Sequence, residues 1–193
     1  MRKDFDEMLK SRFEDEQCLL PVNSVEKFPI GANGWQKLEV TDLASFENIK
    51  ENHHDGVCTL TGSKSGNLEV IDFDIYHLTE MSNKVFENFR ALAGDELVNR
   101  LPAEKSQSGG IHIFYRCNDI KISGNQKLAK WDKSTTIIET RGEGGLVVTH
   151  PTPGYSMLQW DLSHIPNITK EEREKLINAA KALNQYVDKS EVQ

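Results

Sequence analysis

The chain has little of what marks a secreted, membrane-bound or metal-clipped protein. Three cysteines, Cys18, Cys58 and Cys117, occur in 193 residues. Their number is odd, they lie far apart and no CxxC pair exists. That excludes a disulfide framework and a zinc clip, and predicts reduced core thiols. No apolar run approaches the ~20 residues of a membrane span. The N-terminal MRKDFDEMLKSRFEDEQ is charged and amphipathic where a signal peptide would be apolar, so a cytoplasmic protein is expected. Internal repeats and low-complexity segments are missing. Ser63-Lys64-Ser65-Gly66 lacks the GxxxxGKS/T spacing of a P-loop, so ATPase activity is not expected. His53, His54, His77, His150 and His164 lack metal-ligand spacing. A basic excess is absent too: 23 Lys and Arg against 30 Asp and Glu leave a net charge of −7. This argues against a broad phosphate-binding surface, although Lys121, Lys127, Lys130, Lys133 and Arg141 cluster locally.

What is present reads as one α+β domain with a mostly antiparallel sheet and helices on one face, because strands outnumber helices in mixed order. Residues 3–17 predict a polar helix with Phe5, Met8, Leu9 and Phe13 on one side. Residues 18–22 read as a short strand and 29–34 as turn chemistry. Asp42 is placed to cap a helix from 43 to about 52. Strands at 56–60 and 68–75 are expected to form a hairpin through 61–67. Residues 82–98 predict one amphipathic helix turning Val85, Phe86, Phe89, Leu92 and Leu97 inward. Further strands are expected at 111–117, 135–141, 145–150 and 155–160. Thr169 with Glu172 makes a capping-box pattern for a final helix reaching about Asp188. The expected division is an N-terminal helix (1–17), a central domain (18–165), and a C-terminal helix and tail (166–193).

Three segments concentrate the chemistry: Val70-Ile71-Asp72-Phe73-Asp74, Ser106-Gln107-Ser108-Gly109-Gly110-Ile111-His112, and Ile137-Ile138-Glu139-Thr140-Arg141. In the first, strand alternation puts Asp72 and Asp74 on one face with Val70, while Ile71, Phe73 and Ile75 turn to the core. Two carboxylates about 6–7 Å apart along a strand can share one or two magnesium or manganese ions. In the second, Gly109 and Gly110 permit positive φ and let free backbone amides approach a phosphate. Ser106 and Ser108 add hydroxyl donors. His112 heads a strand, where its ring can donate to a triphosphate oxygen. In the third, Glu139 and Arg141 share a face, as a surface ion pair or as a third acid with a basic neighbour. Glu143, beside Gly144 and Gly145, competes with Glu139 for that place. Lys27 and Arg116 are further triphosphate neutralisers or ordinary surface bases. Three acids and a histidine on neighbouring strands beside a glycine turn suit a divalent metal holding a triphosphate, the chemistry of nucleotidyl transfer.

In this order and at these separations, the three segments resemble the signature motifs of the archaeo-eukaryotic primase superfamily. The variant most similar is the primase/polymerase (Prim-Pol) domain at the N-terminus of plasmid and phage replication proteins. Lys27-Phe28-Pro29, Asn33-Gly34-Trp35, Leu60-Thr61-Gly62, HIFYR at 112–116 and GGLVVTHP at 144–151 complete the resemblance, which runs from about residue 20 to 162. Its specific element is SGGxH followed by an aromatic strand. Glu139 stands where the family often has Asp, His150 where it has an apolar or small residue, and Thr152 where it has Ser.

The resemblance implies a palm-like sheet of RNA-recognition-motif type beside a smaller α/β unit. It implies a DNA-directed nucleotidyltransferase, primase or DNA polymerase, acting in replication of a plasmid, phage or mobile element. Asp72, Asp74 and Glu139 would hold Mg²⁺ or Mn²⁺. Ser106, Ser108, Gly109, Gly110, His112, Arg116 and Arg141 would bind the nucleotide. Implied partners are single-stranded or primed DNA, nucleoside triphosphates and a helicase domain in cis or trans, with no membrane. No helicase motif is present, so the chain is expected to be an excised N-terminal domain or a small stand-alone protein. Two alternatives stand beside this. One is an inactive module that holds nucleotide or primer–template, against which three unpaired acids beside a phosphate site argue, since they repel the ligand without metal. The other is a metal-dependent nuclease, which leaves SGGxH without a purpose.

Overall fold

A computed structural model describes residues 2–29, 34–75 and 82–186. Two antiparallel sheets organise them. Strands β1 (Leu19–Val22), β2 (Gly56–Leu60) and β8 (Leu146–Thr149) form the smaller, in the order β1-β2-β8. The larger has six strands in the order β6 (Gln126–Lys130), β7 (Thr136–Arg141), β3 (Leu68–Phe73), β5 (Ile111–Arg116), β4 (Ala103–Lys105) and β9 (Ser156–Gln159). Helices α1 (Arg2–Glu14) and α2 (Leu43–Ile49) accompany the small sheet. Helices α3 (Ser82–Ala93), α4 (Asp95–Asn99) and α5 (Lys170–Ala182) accompany the large one. The fold is α+β, as expected. No helix among the described residues is long and apolar enough to cross a membrane.

Alternation along β3 and β5 divides the large sheet into two faces. Ile71, Phe73, Ile113 and Tyr115 are buried against Phe89 of α3 and Leu176 and Ala180 of α5. On the opposite face Leu68, Val70 and Phe114 meet Val147 of β8 together with Leu162 and Ile165. A third cluster joins Leu9 of α1 and Phe46 of α2 to Leu20, Val57 and Cys58. Burial of each such Leu, Val or Phe side chain contributes about 1.5–3 kcal/mol over leaving it in water. The small sheet therefore covers only one end of the second face. Asp72 and His112, the next residues along β3 and β5 on that face, line a cavity instead.

Several elements match expectation, including α1, β1 and the Asp42 cap, whose carboxylate accepts from Ser45 N–H at 2.9 Å. The capping box is complete: Thr169 Oγ1 accepts from Glu172 N–H, and Glu172 Oε2 accepts from Thr169 N–H. All three cysteines are buried free thiols.

Other expectations fail for identifiable reasons. The strands at 56–60 and 68–73 do not form a hairpin. Each already has neighbours on both edges, β1 and β8 for one, β5 and β7 for the other, and residues between them cross from sheet to sheet through a short 3-10 turn at Ser63–Ser65. The single helix expected at 82–98 is two, broken at Gly94, whose φ of +94° is outside helical geometry. Leu92, still within α3, is exposed, not inward. Two strands were not anticipated. Ala103–Lys105 is very short, and Gln126–Lys130 has no β-branched or aromatic residue. The final helix stops at Ala182, with Asp188 outside the described residues, as are His77 and positions 30–33 of the expected turn.

Candidate active site

One row of side chains crosses five strands of the large sheet. Register places Asp72 opposite Glu139 on one side and His112 on the other. His112 in turn stands opposite Glu104, and Glu139 opposite Lys127. Residues so paired share a face with Cβ atoms roughly 4.5–5.5 Å apart, so their charges interact directly. His112 Nδ1 lies 2.8 Å from Glu104 Oε1, and its Nε2 lies 3.4 Å from Asp72 Oδ1. The Arg141 guanidinium donates to Asp72 Oδ2 at 3.0 and 3.2 Å, and approaches Glu139 Oε1 to 2.5 Å.

These contacts set the protonation states. Burial alone would raise the Asp72 carboxyl, but His112 and Arg141 outweigh it and hold the group at about 2. Burial likewise opposes the charged form of His112. Asp72 and Glu104, two carboxylates on one ring, reverse that and lift it to about 10. His112 is thus an imidazolium at neutral pH. Glu139 moves the other way. Burial raises it, Arg141 opposes, and the nearby charges of Asp72 and Asp74 raise it further.

The turn from Ser106 to Gly110 closes on itself: Ser106 N–H donates to Gly110 O at 2.8 Å, and Gly109 N–H to Ser106 O at 2.9 Å. The Gly109 amide is therefore not the free donor expected from sequence. Gly109 has φ +94°, and a Cβ on Gly110 would lie 2.5 Å from the Phe73 carbonyl oxygen. Glycine at 110 lets this turn close against the end of β3, next to Asp74. The two serine hydroxyls stand 3.3 Å apart, Ser106 buried and Ser108 exposed.

A cavity of about 280 Å³ opens here, lined by Asp72, Asp74, Ser106, Ser108, His112 and Arg141 among others. Lys27 also lines it, from a backbone with φ +56°. So does Tyr155, whose hydroxyl is raised by burial and by the Glu104 and Asp72 charges. Glu139 is not among the lining residues but pairs with Arg141, which is.

Other candidates fall elsewhere. Arg116 is neither a surface base nor at the cavity. Its guanidinium is buried, pairing with Asp15 at 3.0 Å and donating to the carbonyls of Ser65, Ile165 and Asp15. Glu143 caps the 3-10 turn through Ser63 N–H and Oγ. Thr152 Oγ1 is engaged by both backbone groups of Val57. His53 and His54, read from sequence as lacking ligand spacing, come together with Glu51 closely enough to hold an ion. However, His54 Nδ1 already accepts from Glu51 N–H at 3.0 Å.

Sequence reasoning missed Glu104 and Tyr155. A signal for Glu104 existed: reading Ser106–Gly110 as a tight hairpin sets residue 104 opposite 112. It was hidden by the shortness of Ala103-Glu104-Lys105.

Asp72, Asp74 and Glu139 offer only carboxylate oxygens, the donor type a hard divalent cation takes. Arg141 pairs with both Asp72 and Glu139, and the three acids are not drawn together as closely as Glu51, His53 and His54, the one such group among the described residues. Comparison with curated proteins gives no match. A family model described as bifunctional DNA primase/polymerase, N-terminal (Prim-Pol), matches residues 13–167, most of the chain, and the protein therefore belongs to the Prim-Pol family, whose role in replication is of the primase/polymerase type.

Proposed function

We propose that this chain is a DNA-directed nucleotidyltransferase that joins a nucleoside monophosphate to a 3′-hydroxyl on a single-stranded or primed DNA template. The observation that carries this reading is the in-register row Glu139–Asp72–His112, of which Asp72 and His112 line a cavity together with Asp74, Ser108 and Arg141. Asp72, Asp74 and Glu139 would hold Mg²⁺ or Mn²⁺, which supplies Lewis-acid stabilisation of charge at the phosphate under attack. His112, Arg141, Ser106, Ser108 and the turn at Gly109-Gly110 would receive the triphosphate.

The protein's own part is exchange of partners. In the absence of ligand, Arg141 and His112 neutralise Asp72. A bound triphosphate offers both cations a denser negative charge, and so frees the carboxylates as ligands. Asp72 and Glu139 are therefore already paired, which weakens the sequence-based objection to an inactive binding module. That second reading draws support from this internal neutralisation. The reduced thiols accord with a cytoplasmic setting, and a helicase in cis or trans fits the family's place in replication.

Primer synthesis and extension with labelled nucleotides and Mg²⁺ or Mn²⁺ test the proposal. Glu139→Gln keeps shape and removes one charge. It is expected to slow incorporation about 10²–10³-fold, as when an electrostatic catalytic contribution is lost, while template binding stays equal or tightens slightly. A wild type that binds primer–template yet incorporates nothing with either metal establishes the binding module instead.

A further inference from the structure

Glu104 is fully buried, and both of its carboxylate oxygens are engaged. Oε1 meets His112 Nδ1 at 2.8 Å, and Oε2 accepts from His150 N–H at 2.8 Å. The second contact crosses from the large sheet to the end of β8. There the main chain is itself held, because buried Arg12 donates to His150 O at 2.8 Å and to Thr149 Oγ1 at 3.0 Å. The carboxylate is thus fixed from the strand pairing of β4 and from the small sheet at once.

The two sides of the His112 ring differ. Nδ1 lies at 2.8 Å from Glu104, within strong charge-assisted range. Nε2 lies at 3.4 Å from Asp72, long for a hydrogen bond. One nitrogen is anchored. The other is turned to the cavity and only loosely committed, so a triphosphate oxygen is a better acceptor for it than the one it has.

We propose that Glu104 is a positioning residue for the nucleotidyl-transfer site: it clamps His112 Nδ1 so that Nε2–H is presented to the incoming triphosphate. This rests on the function proposed above and assigns a residue to it that touches neither metal nor nucleotide. The logic is that of a buried carboxylate fixing the orientation of a working histidine through its far nitrogen.

The test is a double-mutant cycle on dATP affinity in the presence of Mn²⁺, using the full chain. Glu104→Gln keeps the shape but removes the anion: its amide N–H₂ must either face His150 N–H, or donate to His112 Nδ1, which accepts it only as a neutral imidazole and so leaves an uncharged ring to meet the triphosphate. Glu104→Gln and His112→Ala are each expected to weaken dATP binding roughly 10-fold or more. The double variant should bind no more weakly than His112→Ala alone. An unchanged affinity in Glu104→Gln overturns the proposal, and so does a further loss when it is added to His112→Ala. A wild type that binds neither dATP nor ATP overturns the functional reading and this inference with it; where only ATP binds, the same cycle is read with ATP. A wild-type histidine ¹⁵N spectrum gives a readout that needs no folded variant. His112 should show an Nδ1 proton protected from exchange, kept when dATP and Mg²⁺ are added while the Nε2 signal moves. Lack of that protected proton, or movement at Nδ1 in place of Nε2, overturns the clamp.

Discussion

Glu69 and Glu104 are two fully buried carboxylates on opposite faces of one sheet, and their surroundings could hardly differ more. Glu69, on β3, faces the helices. It accepts both arms of Arg173 from α5, at 2.6 and 2.9 Å, and the Tyr115 hydroxyl at 2.7 Å. All three donors are directed at it, and the charge ends there. Glu104 faces the small sheet and holds a histidine whose second nitrogen points onward to Asp72, Arg141 and the cavity. Both carboxylates satisfy the requirement that a buried charge be paired and hydrogen-bonded. The first network closes on itself and fastens a helix to a sheet. The second is open at one end, where His112 and Asp72 line the cavity. Burial of charge alone does not tell the two apart; where each network ends does.

The largest effect expected on this contrast is at the closed network. Arg173→Met leaves Glu69 charged and buried, at a cost of about 3–5 kcal/mol. Chemical denaturation should report that loss while triphosphate affinity in the folded variant stays unchanged. A shift in affinity would show that the two faces are coupled.

His112→Ala should destabilise by less, about 1–3 kcal/mol, because Glu104 keeps the His150 amide and the cavity admits water to the vacated side. Reading the histidine as a strand-start surface residue would predict no loss at all. Buried as it is, with 5% of its surface exposed, His112 belongs to the fold as well as to the site. The same denaturation series distinguishes the two views.

The open network should also carry the pH dependence. His112 is raised from 6.5 to about 10, so its contribution to stability is complete below pH 6.5 and is lost as pH rises through 10. Asp72 is lowered from 3.8 to about 2, so its contribution is present above pH 3.8 and lost as pH falls through 2. Melting temperatures of His112→Gln between pH 6.5 and 10 should fall less steeply than those of wild type. Equal slopes would mean that other groups dominate that range. The smallest effect expected is at a site remote from both networks. Thr169→Ala removes the cap of α5 at about 1 kcal/mol, with nucleotide affinity unmoved.

Much of the architecture was readable from local pattern. The alternation of VIDFDI assigned Ile71 and Phe73 to the core and Asp72 to the other face, because side-chain period in a strand is fixed by backbone geometry. The Thr169–Glu172 capping box and the Asp42 cap are local hydrogen-bond patterns and were recoverable for the same reason. Arg116 and the stretch between β2 and β3 were misjudged on information that local sequence does not hold. Whether an Arg on a strand meets solvent or Asp15, 101 positions earlier in the chain, depends on what packs over it. Whether two successive strands pair depends on which other strands compete for their edges.

By itself, the order of residues determined the strand faces, the glycine turn before His112, the acidic residues of the first and third motif segments and the family to which the chain belongs. Only the tertiary structure decided which of those groups are charged and what each one holds. Cross-strand register brought Glu104, His112, Asp72 and Glu139 into one row from four separate strands. Burial then made every charge in that row depend on its neighbours, since a charge withdrawn from water takes its state from the partners that replace the water.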